Sequence, residues 1–219
     1  MVLTEGVHGP TLGPVESLII NALLIGACFY LLCRPVNSPR REILVLSSIT
    51  LVAAASRVAL EPLPNVQPMT MMCLVLGAAL GSRRGMAFAI IATLLSNLVL
   101  SNGWWTLFQA SGWAAVAFAG SRLPILNQNQ INMKVLISAC ICTSIMFDWW
   151  VSLSIYESGM SLSTFGVYLL NGIPFDIMHA IASVTAAVLF APWLNNLIHE
   201  EVAQDVVSNP VGDADVVRN

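Results

Sequence analysis

The stretch Phe165–Leu197 reads FGVYLLNGIPFDIMHAIASVTAAVLFAPWLNNL and contains no Lys, Arg or Glu and a single Asp. It exceeds the roughly 20 apolar residues that a helix needs to cross a bilayer. Its apolar residues do not alternate strictly with polar ones, so a helix is favoured over a barrel strand. Pro174 and Pro192 lie inside the stretch and predict a kink or an early exit from the membrane.

The whole composition agrees with this stretch. The chain has 219 residues, of which 57% are hydrophobic and 10% are charged, whereas a soluble domain carries roughly 25% charged residues. The net charge of −3 argues against a nucleic-acid partner. The five cysteines have no metal-ligand spacing, and we predict neither a metal nor a cofactor. The first ten residues lack Lys and Arg, so a secretory signal is not expected.

Apolar runs divide the chain into seven candidate spans, which predict an all-α integral membrane protein. The third is short for a full crossing and begins next to Pro68. The runs are Val15–Cys33, Ile43–Leu60, Thr70–Gly81, Gly85–Leu100, Thr106–Ser121, Val135–Tyr156 and Phe165–Leu197.

Basic residues concentrate in alternate loops. Three loops between runs contain Lys or Arg, and the loops at 61–68, 101–105 and 157–163 contain none. By the positive-inside rule the basic loops are cytoplasmic, which places the N-terminus outside and the C-terminus inside the cell membrane. The basic loop residues are Arg34, Arg40, Arg41, Arg83, Arg84, Arg122 and Lys134.

Four ionisable residues lie inside the predicted spans, where each charge costs about 2.5–3.5 kcal/mol on insertion scales. They are Arg57, Asp148, Asp176 and His179. Counted along their helices, these residues fall in the outer half of the bundle, together with Asn97 and a shared face of the fifth run. That face consists of Trp105, Gln109 and Trp113 at i, i+4 and i+8. The distribution predicts a pocket open to the outside, in which Trp105 and Trp113 stack on a ligand.

Structural roles are the alternatives for the same residues. Arg57 is also expected to form an ion pair with Asp148 or Asp176, and Asn97 to cap a neighbouring helix. Trp149 and Trp150 suit an interfacial belt, and His179 suits a partner that keeps Asp176 neutral. The loop Glu61–Pro68 has three prolines and is expected to be stiff and extended, either covering the pocket or simply connecting two helices.

Several motifs resemble, in the same order, those of the substrate-binding membrane subunits (S components) of energy-coupling factor (ECF) vitamin transporters. The likeness spans about Ile43 to Leu197 and is nearest to the cobalamin-type branch. The motifs are Arg57, Pro64-Asn-Val-Gln-Pro68, the glycines at 77, 81 and 85, Ser96-Asn97, Gly103-Trp-Trp-Thr106 with Gln109 and Trp113, Asp148, Pro174-Phe-Asp176 and His179-Ala180.

The resemblance implies a six-helix substrate-binding domain at residues 43–198. Residues 1–42 are then an extracellular segment, an additional transmembrane helix and a basic loop, and residues 199–219 are a polar, partly disordered cytoplasmic tail. The resemblance also adds Asn65, Gln67 and Trp104 to the substrate-binding residues. The implied function is capture of a vitamin, with cobalamin favoured, in an outward-facing pocket.

Delivery in that family involves a transmembrane coupling subunit and two cytoplasmic ATPases, which the resemblance implies as partners. The chain has no Gly-x-x-x-x-Gly-Lys-Ser/Thr loop, so ATP hydrolysis is expected in another polypeptide. Small residues allow close helix approach, and the implied docking residues are Ser47, Ala54, Ala55 and Ala59.

Two other functions remain open from the sequence. Asp148, Asp176 and His179 are the side chains that an intramembrane enzyme would use for acid–base work, although none of the expected enzyme motifs is present. The other alternative is a non-transporting membrane scaffold with a similar helical layout.

Overall fold

The computed structural model describes residues 13–32, 40–156 and 160–208, with side chains for 13–32, 43–156 and 160–200. The prediction for Arg34 and that for the end of the tail, residues 209–219, lie outside this part of the chain.

The described residues form seven α-helices that match the seven predicted runs to within a few residues at nearly every end. Tertiary packing therefore preserves the elements that the apolar runs predict, and the all-α prediction is confirmed. The helices are α1 (Pro14–Leu32), α2 (Arg40–Ala59), α3 (Met69–Leu80), α4 (Ser82–Leu100), α5 (Trp104–Gly120), α6 (Met133–Ser152, followed by a 3₁₀ turn at Leu153–Ile155) and α7 (Leu162–Ser208).

Four of these helical segments are long and apolar enough to cross a membrane. They are Pro14–Leu32, Ser82–Leu100, Met133–Ile155 and Leu162–Glu200, and shorter apolar helices occur at Ile43–Ala59 and Met69–Leu80. Many large apolar side chains on their outer faces are exposed, such as Phe29 on α1 and Phe190 on α7. The structure is consistent with a multi-pass membrane protein.

The last helix is longer than predicted. α7 runs for 47 residues with Pro174 and Pro192 inside it, so the chain does not leave the helix at either proline. It also continues beyond Leu197 to Ser208, so the first residues of the predicted polar tail, from His199, are helical. The segment after Leu197 includes Glu200, Glu201, Ala203 and Gln204, which are good helix formers.

A small hairpin that the all-α prediction omits connects α5 to α6. Strand β1 (Leu126–Asn127) pairs antiparallel with β2 (Gln130–Ile131). The two linking residues, Gln128 and Asn129, both have positive φ angles, 48° and 65°. Two such residues form the tight turn that matches the twist of paired strands.

The short helix α3 is the centre of the bundle. Its residues Met69 to Gly77 are all buried, and it packs against α4, α5 and α7. A Cβ added to Gly77 would collide with the Ala117 carbonyl oxygen, and one on Gly120 would collide with the Leu74 backbone. Glycines therefore let α3 and α5 approach backbone to backbone.

The first helix lies at the periphery of the bundle. The side chains of Ile20, Leu24 and Cys28 pack on Ile90 and Ala110. Its C-terminal carbonyls are capped from α4, because Arg83 Nε donates to Leu31 O at 2.9 Å and Arg83 Nη2 to Tyr30 O at 2.6 Å. The end of α1 and the start of α4 therefore lie on the same side of the bundle.

Three of the four predicted docking residues lie on the exposed face of α2, and one does not. Ser47, Ala55 and Ala59 are exposed, but Ala54 is only 6% exposed and lies beside the fully buried Ala53. The assignment of Ala54 to a docking surface is therefore wrong. Neighbouring helical residues point about 100° apart, and this rotation turns Ala54 inward while Ala55 faces out.

Candidate ligand-binding site

The loop between α2 and α3 folds back on itself rather than running extended as predicted. The amide of Leu63 donates to Leu60 O at 2.9 Å, and that of Val66 donates to Leu63 O at 3.1 Å. In the second turn Pro64 is followed by Asn65 with φ 58°, the residue pattern of a type II turn. The turns place Gln67 beside the end of α2, and Asn65 Nδ2 donates to Phe175 O on α7 at 3.3 Å.

Arg57, near the end of α2, is the centre of a polar cluster from four elements. Its guanidinium donates to Gln67 Oε1 (3.2 Å), Ser96 Oγ, Asn97 Oδ1 (3.4 Å) and Gln109 Oε1 (3.4 Å). All four acceptors are neutral. The side chain is only 5% exposed, so the positive charge is buried. We call Arg57, Gln67, Ser96, Asn97 and Gln109 the arginine cluster.

Asn97 connects α4 to the start of α5. Its Nδ2 donates to Thr106 Oγ1 and to Gln109 Oε1, both at 3.1 Å. Thr106 Oγ1 also accepts from the Gly103 amide at 3.2 Å, and this bond completes the first turn of α5. Asn97 therefore does not cap a helix itself but bonds to the residue that does, which corrects the capping alternative.

The predicted aromatic face of α5 is only partly available to a ligand. Arg57 Cζ lies 4.5 Å from the centre of the Trp113 ring, and Phe147 stacks on the same ring at 4.3 Å with planes 19° apart. Two groups at these distances must occupy opposite faces, so Trp113 has no free face for a ligand ring, and the predicted stacking role is wrong for it. Trp105 is buried, whereas Trp104 is 38% exposed and packs against Phe108.

A second cluster joins α3, α6 and α7. His179 Nδ1 lies 2.9 Å from both carboxylate oxygens of Asp148, and His179 Nε2 lies 2.9 Å from Thr70 Oγ1. With Asp148 ionised, its carboxylate only accepts, and His179 Nδ1 is then the donor. His179 is fully buried. We call Thr70, Asp148 and His179 the histidine cluster.

Asp176 has a different partner. Trp149 Nε1 donates to Asp176 Oδ2 at 2.9 Å. Both expected pairings of Asp176 are therefore wrong: His179 bonds Asp148 instead, and Arg57 forms no ion pair with any carboxylate in the described part of the chain. Trp149 and Trp150 are 51% and 43% exposed, as expected for an interfacial belt, and Trp150 Nε1 also donates to Ser111 Oγ at 3.0 Å.

The two clusters meet through one aromatic side chain. Phe147 stacks on Trp113, and Arg57 lies over the same tryptophan ring. The Phe147 ring also lies edge to face with His179, at 5.6 Å between ring centres and 87° between planes. The structure thus brings together most of the predicted pocket residues, but in two separate networks. Within the described residues, no group of three or more His, Cys, Asp or Glu side chains is placed to hold a metal ion.

Three polar members of these networks were missing from the predicted site. Ser96 is the direct neighbour of Asn97, which was predicted. Thr106 follows Gly103 by three residues, the spacing of a helix-capping residue. Both could therefore have been found from the local sequence. Thr70 contacts His179 across 109 residues of sequence, and nothing local indicates that contact.

The arginine cluster has the chemical groups that recognise a small polar or anionic molecule, because it offers a charged donor and amides that both donate and accept. A family model described as a family of unknown function (DUF6580) matches residues 37–201. The match begins after α1 and includes every member of both clusters. No curated protein and no solved structure matches the chain.

Proposed function

The chain belongs to the DUF6580 family of unknown function, and from its own site we propose that it is the substrate-specific binding subunit of an ECF-type vitamin importer. In this proposal it captures a vitamin, with cobalamin favoured by the motif resemblance, in an outward-facing pocket. The extra helix α1 lies outside both the resemblance and the family match.

One observation supports this proposal above all: the guanidinium of Arg57 is buried and, among the described residues, is bonded only to neutral side chains. A charge inside a membrane bundle is costly and is retained for a function or a charged partner. The described part of the chain supplies no charged partner for Arg57. The hydrogen bonds of its guanidinium go to Gln67, Ser96, Asn97 and Gln109. A ligand that completes this cluster explains why the charge is kept.

The position of the cluster also supports capture from one side. Arg57 lies near the end of α2, Gln67 just before α3, Asn97 near the end of α4 and Gln109 in the second turn of α5. These four points share one end of the bundle. Arg83, Arg84 and Lys134 lie at the opposite end, which the positive-inside rule makes cytoplasmic.

Transport further requires a coupling subunit and two ATPases as separate polypeptides. The chain itself carries no phosphate-binding loop of the P-loop type. The exposed face of α2 with Ser47, Ala55 and Ala59 is the surface we assign to docking, because small residues permit close helix contact.

An intramembrane enzyme is the second candidate, and the histidine cluster favours it. Thr70, His179 and Asp148 stand in the order hydroxyl, imidazole, carboxylate, with both contacts at 2.9 Å, as in a nucleophile–base–acid triad. Thr70 and His179 are both fully buried, however, which favours a structural role. A hydrolytic activity of the purified protein that is lost in Thr70→Val would establish the enzyme instead.

The proposal is tested with purified protein. Cobalamin and a panel of vitamins are titrated by calorimetry, and molecules that copurify are identified by mass spectrometry. Arg57→Ala should weaken binding by roughly 10- to 150-fold, because a hydrogen bond to a charged group is worth about 1.5–3 kcal/mol.

The matched control is Arg122→Ala, which removes an exposed arginine on Phe118 outside the site and should leave affinity unchanged. A folded protein that binds no vitamin and copurifies with no small molecule would contradict the proposal.

A further inference from the structure

We infer that the ligand of the arginine cluster presents an anionic oxygen group, a carboxylate or phosphate, to Arg57 and to the indole N–H of Trp113. This inference rests on the proposed function in placing a ligand at the cluster, and it specifies the chemistry of the part that is recognised.

The first step is the charge balance around Arg57. The two carboxylates of the neighbouring helices are each engaged elsewhere, Asp148 with His179 at 2.9 Å and Asp176 with Trp149 at 2.9 Å. Arg57 is 5% exposed, and among the described residues it donates only to neutral groups. A buried cation without a counter-charge binds an oxygen anion strongly, since charge-assisted bonds are about twice as strong as neutral ones.

The second step is an independent donor beside the same guanidinium. Trp113 is fully buried, and its Nε1 has no hydrogen-bond partner in the described part of the chain. Arg57 lies over the ring of this same tryptophan, 4.5 Å from its centre. Buried indole N–H groups normally have an acceptor. One anionic oxygen group of the ligand accepts from both residues. It supplies the counter-charge for Arg57 and the acceptor for Trp113 Nε1.

The third step concerns how such a group enters. Gln67 and Gln109 accept from Arg57 through their Oε1 atoms at 3.2 and 3.4 Å, and an amide can turn to present its NH₂ instead. A ligand anion therefore replaces these oxygens on Arg57 and gains amide donors at the same time. In the empty site these neutral amide oxygens stabilise Arg57, and they bind it less strongly than an anionic ligand oxygen does.

The test uses acetate and acetamide, which have nearly the same shape and differ in charge, and inorganic phosphate as a second anion. The thermal midpoint of the purified full-length protein is measured against each probe, with chloride keeping the ionic strength constant. A ligand that binds only the folded state raises the midpoint. Acetate or phosphate should give a saturable rise, acetamide none, and the stronger anion identifies the group.

Arg57→Gln should abolish the rise, whereas Arg122→Gln, on an exposed arginine, should retain it. An equal rise with acetamide, a rise that survives in Arg57→Gln, or no saturable rise with either anion would each overturn the inference. If Arg57→Gln fails to fold, Trp113→Phe keeps an aromatic ring beneath Arg57 and removes the N–H donor together with part of the indole. It should weaken the apparent affinity for the anion several-fold, with Trp193→Phe, an exposed tryptophan, as control; unchanged affinity would overturn it.

The two proposals fail in different ways. Vitamin binding that is unaffected by Arg57→Gln would overturn the anion site alone. An acetate or phosphate response that depends on Arg57, in a protein that binds no vitamin, would overturn the transport function and leave the anion site standing.

Discussion

At the scale of single residues, the buried charged groups belong to separate hydrogen-bond networks. Arg57 bonds Gln67, Ser96, Asn97 and Gln109, and Asp148 bonds His179. The two charges that a simple ion-pair reading would join therefore belong to different networks. Their substitutions should affect different properties of the protein.

Arg57→Ala should weaken ligand binding, whereas Asp148→Ala should chiefly lower stability, by about 1–3 kcal/mol, because it leaves the buried His179 Nδ1 unpaired. Since the two residues share no hydrogen-bond partner in the described part of the chain, the effects on stability should add to within about 0.5 kcal/mol in the double variant. Affinity by calorimetry and thermal midpoint in detergent are measured for all three. Asp148→Asn, which keeps an acceptor, is the control and should be milder.

Partial recovery of stability in the double variant would show instead that Arg57 and Asp148 brace each other. Normal affinity in all variants would remove Arg57 from the ligand site.

At the scale of helices, α3 shows how a short element can be central. Its 12 residues are too few to span a membrane alone, and they are instead enclosed by α4, α5 and α7. Gly77 and Gly120 bring α3 and α5 into backbone contact. Gln67, just before α3, and Gln109, on α5, both accept hydrogen bonds from Arg57.

Gly77→Ala should destabilise the protein by about 1–3 kcal/mol, the usual effect of overpacking, because its Cβ would meet the rigid Ala117 carbonyl. Gly26→Ala on α1, where a Cβ meets nothing within 4 Å, is the matched control and should be neutral or slightly stabilising. Thermal unfolding compares them. Equal midpoints for the two variants would mean that the α3–α5 contact can relax.

Substitutions on α2 test docking by comparing the exposed Ala55 with its buried neighbour Ala54. Under the proposed transport function, Ala55→Trp should abolish uptake by the assembled transporter while vitamin binding by the isolated subunit persists, since Ala55 is exposed and a bulky side chain keeps two helices apart. Ala54→Trp, at a buried position, should instead disrupt folding and binding together. Uptake that survives Trp at Ser47, Ala55 and Ala59 alike would show that this face does not dock.

At the scale of the whole molecule, the two ends of the bundle differ in charge. The arginine cluster lies at the end with the loops at 61–68 and 101–103, and Arg83, Arg84 and Lys134 lie at the other. The Arg83 cap on Tyr30 and Leu31 places the end of α1 at the basic end too. Because α1 lies at the periphery of the bundle, its presence does not alter which ends of α2 to α7 lie on the same side.

In a variant lacking the native cysteines, Ser101→Cys should react with an impermeant thiol reagent only from outside the cell, and Lys134→Cys only from the cytoplasm. Both positions are exposed, so reagent access reports sidedness rather than burial. Reaction of Ser101→Cys only from the cytoplasm would reverse the orientation.

The sequence alone determined the helices and the side chains that are polar within them. Apolar run length, prolines and glycines act locally, and the seven runs therefore reappear as α1 to α7. The stretch Phe165–Leu197 indicated a helix, although its end was placed too early, because the following polar residues still favour helix. Most polar residues of the arginine and histidine clusters were also singled out, because charged and amide side chains inside apolar runs are conspicuous in the sequence.

Only the tertiary structure decided which polar groups are partners and which faces are buried. His179 bonds Asp148 instead of Asp176, both faces of Trp113 are covered, and Ala54 points inward. These outcomes depend on the rotation of each helix about its axis and on its depth in the bundle. Contacts distant in sequence, such as Gly77 with Ala117, set both quantities, and no local pattern contains them.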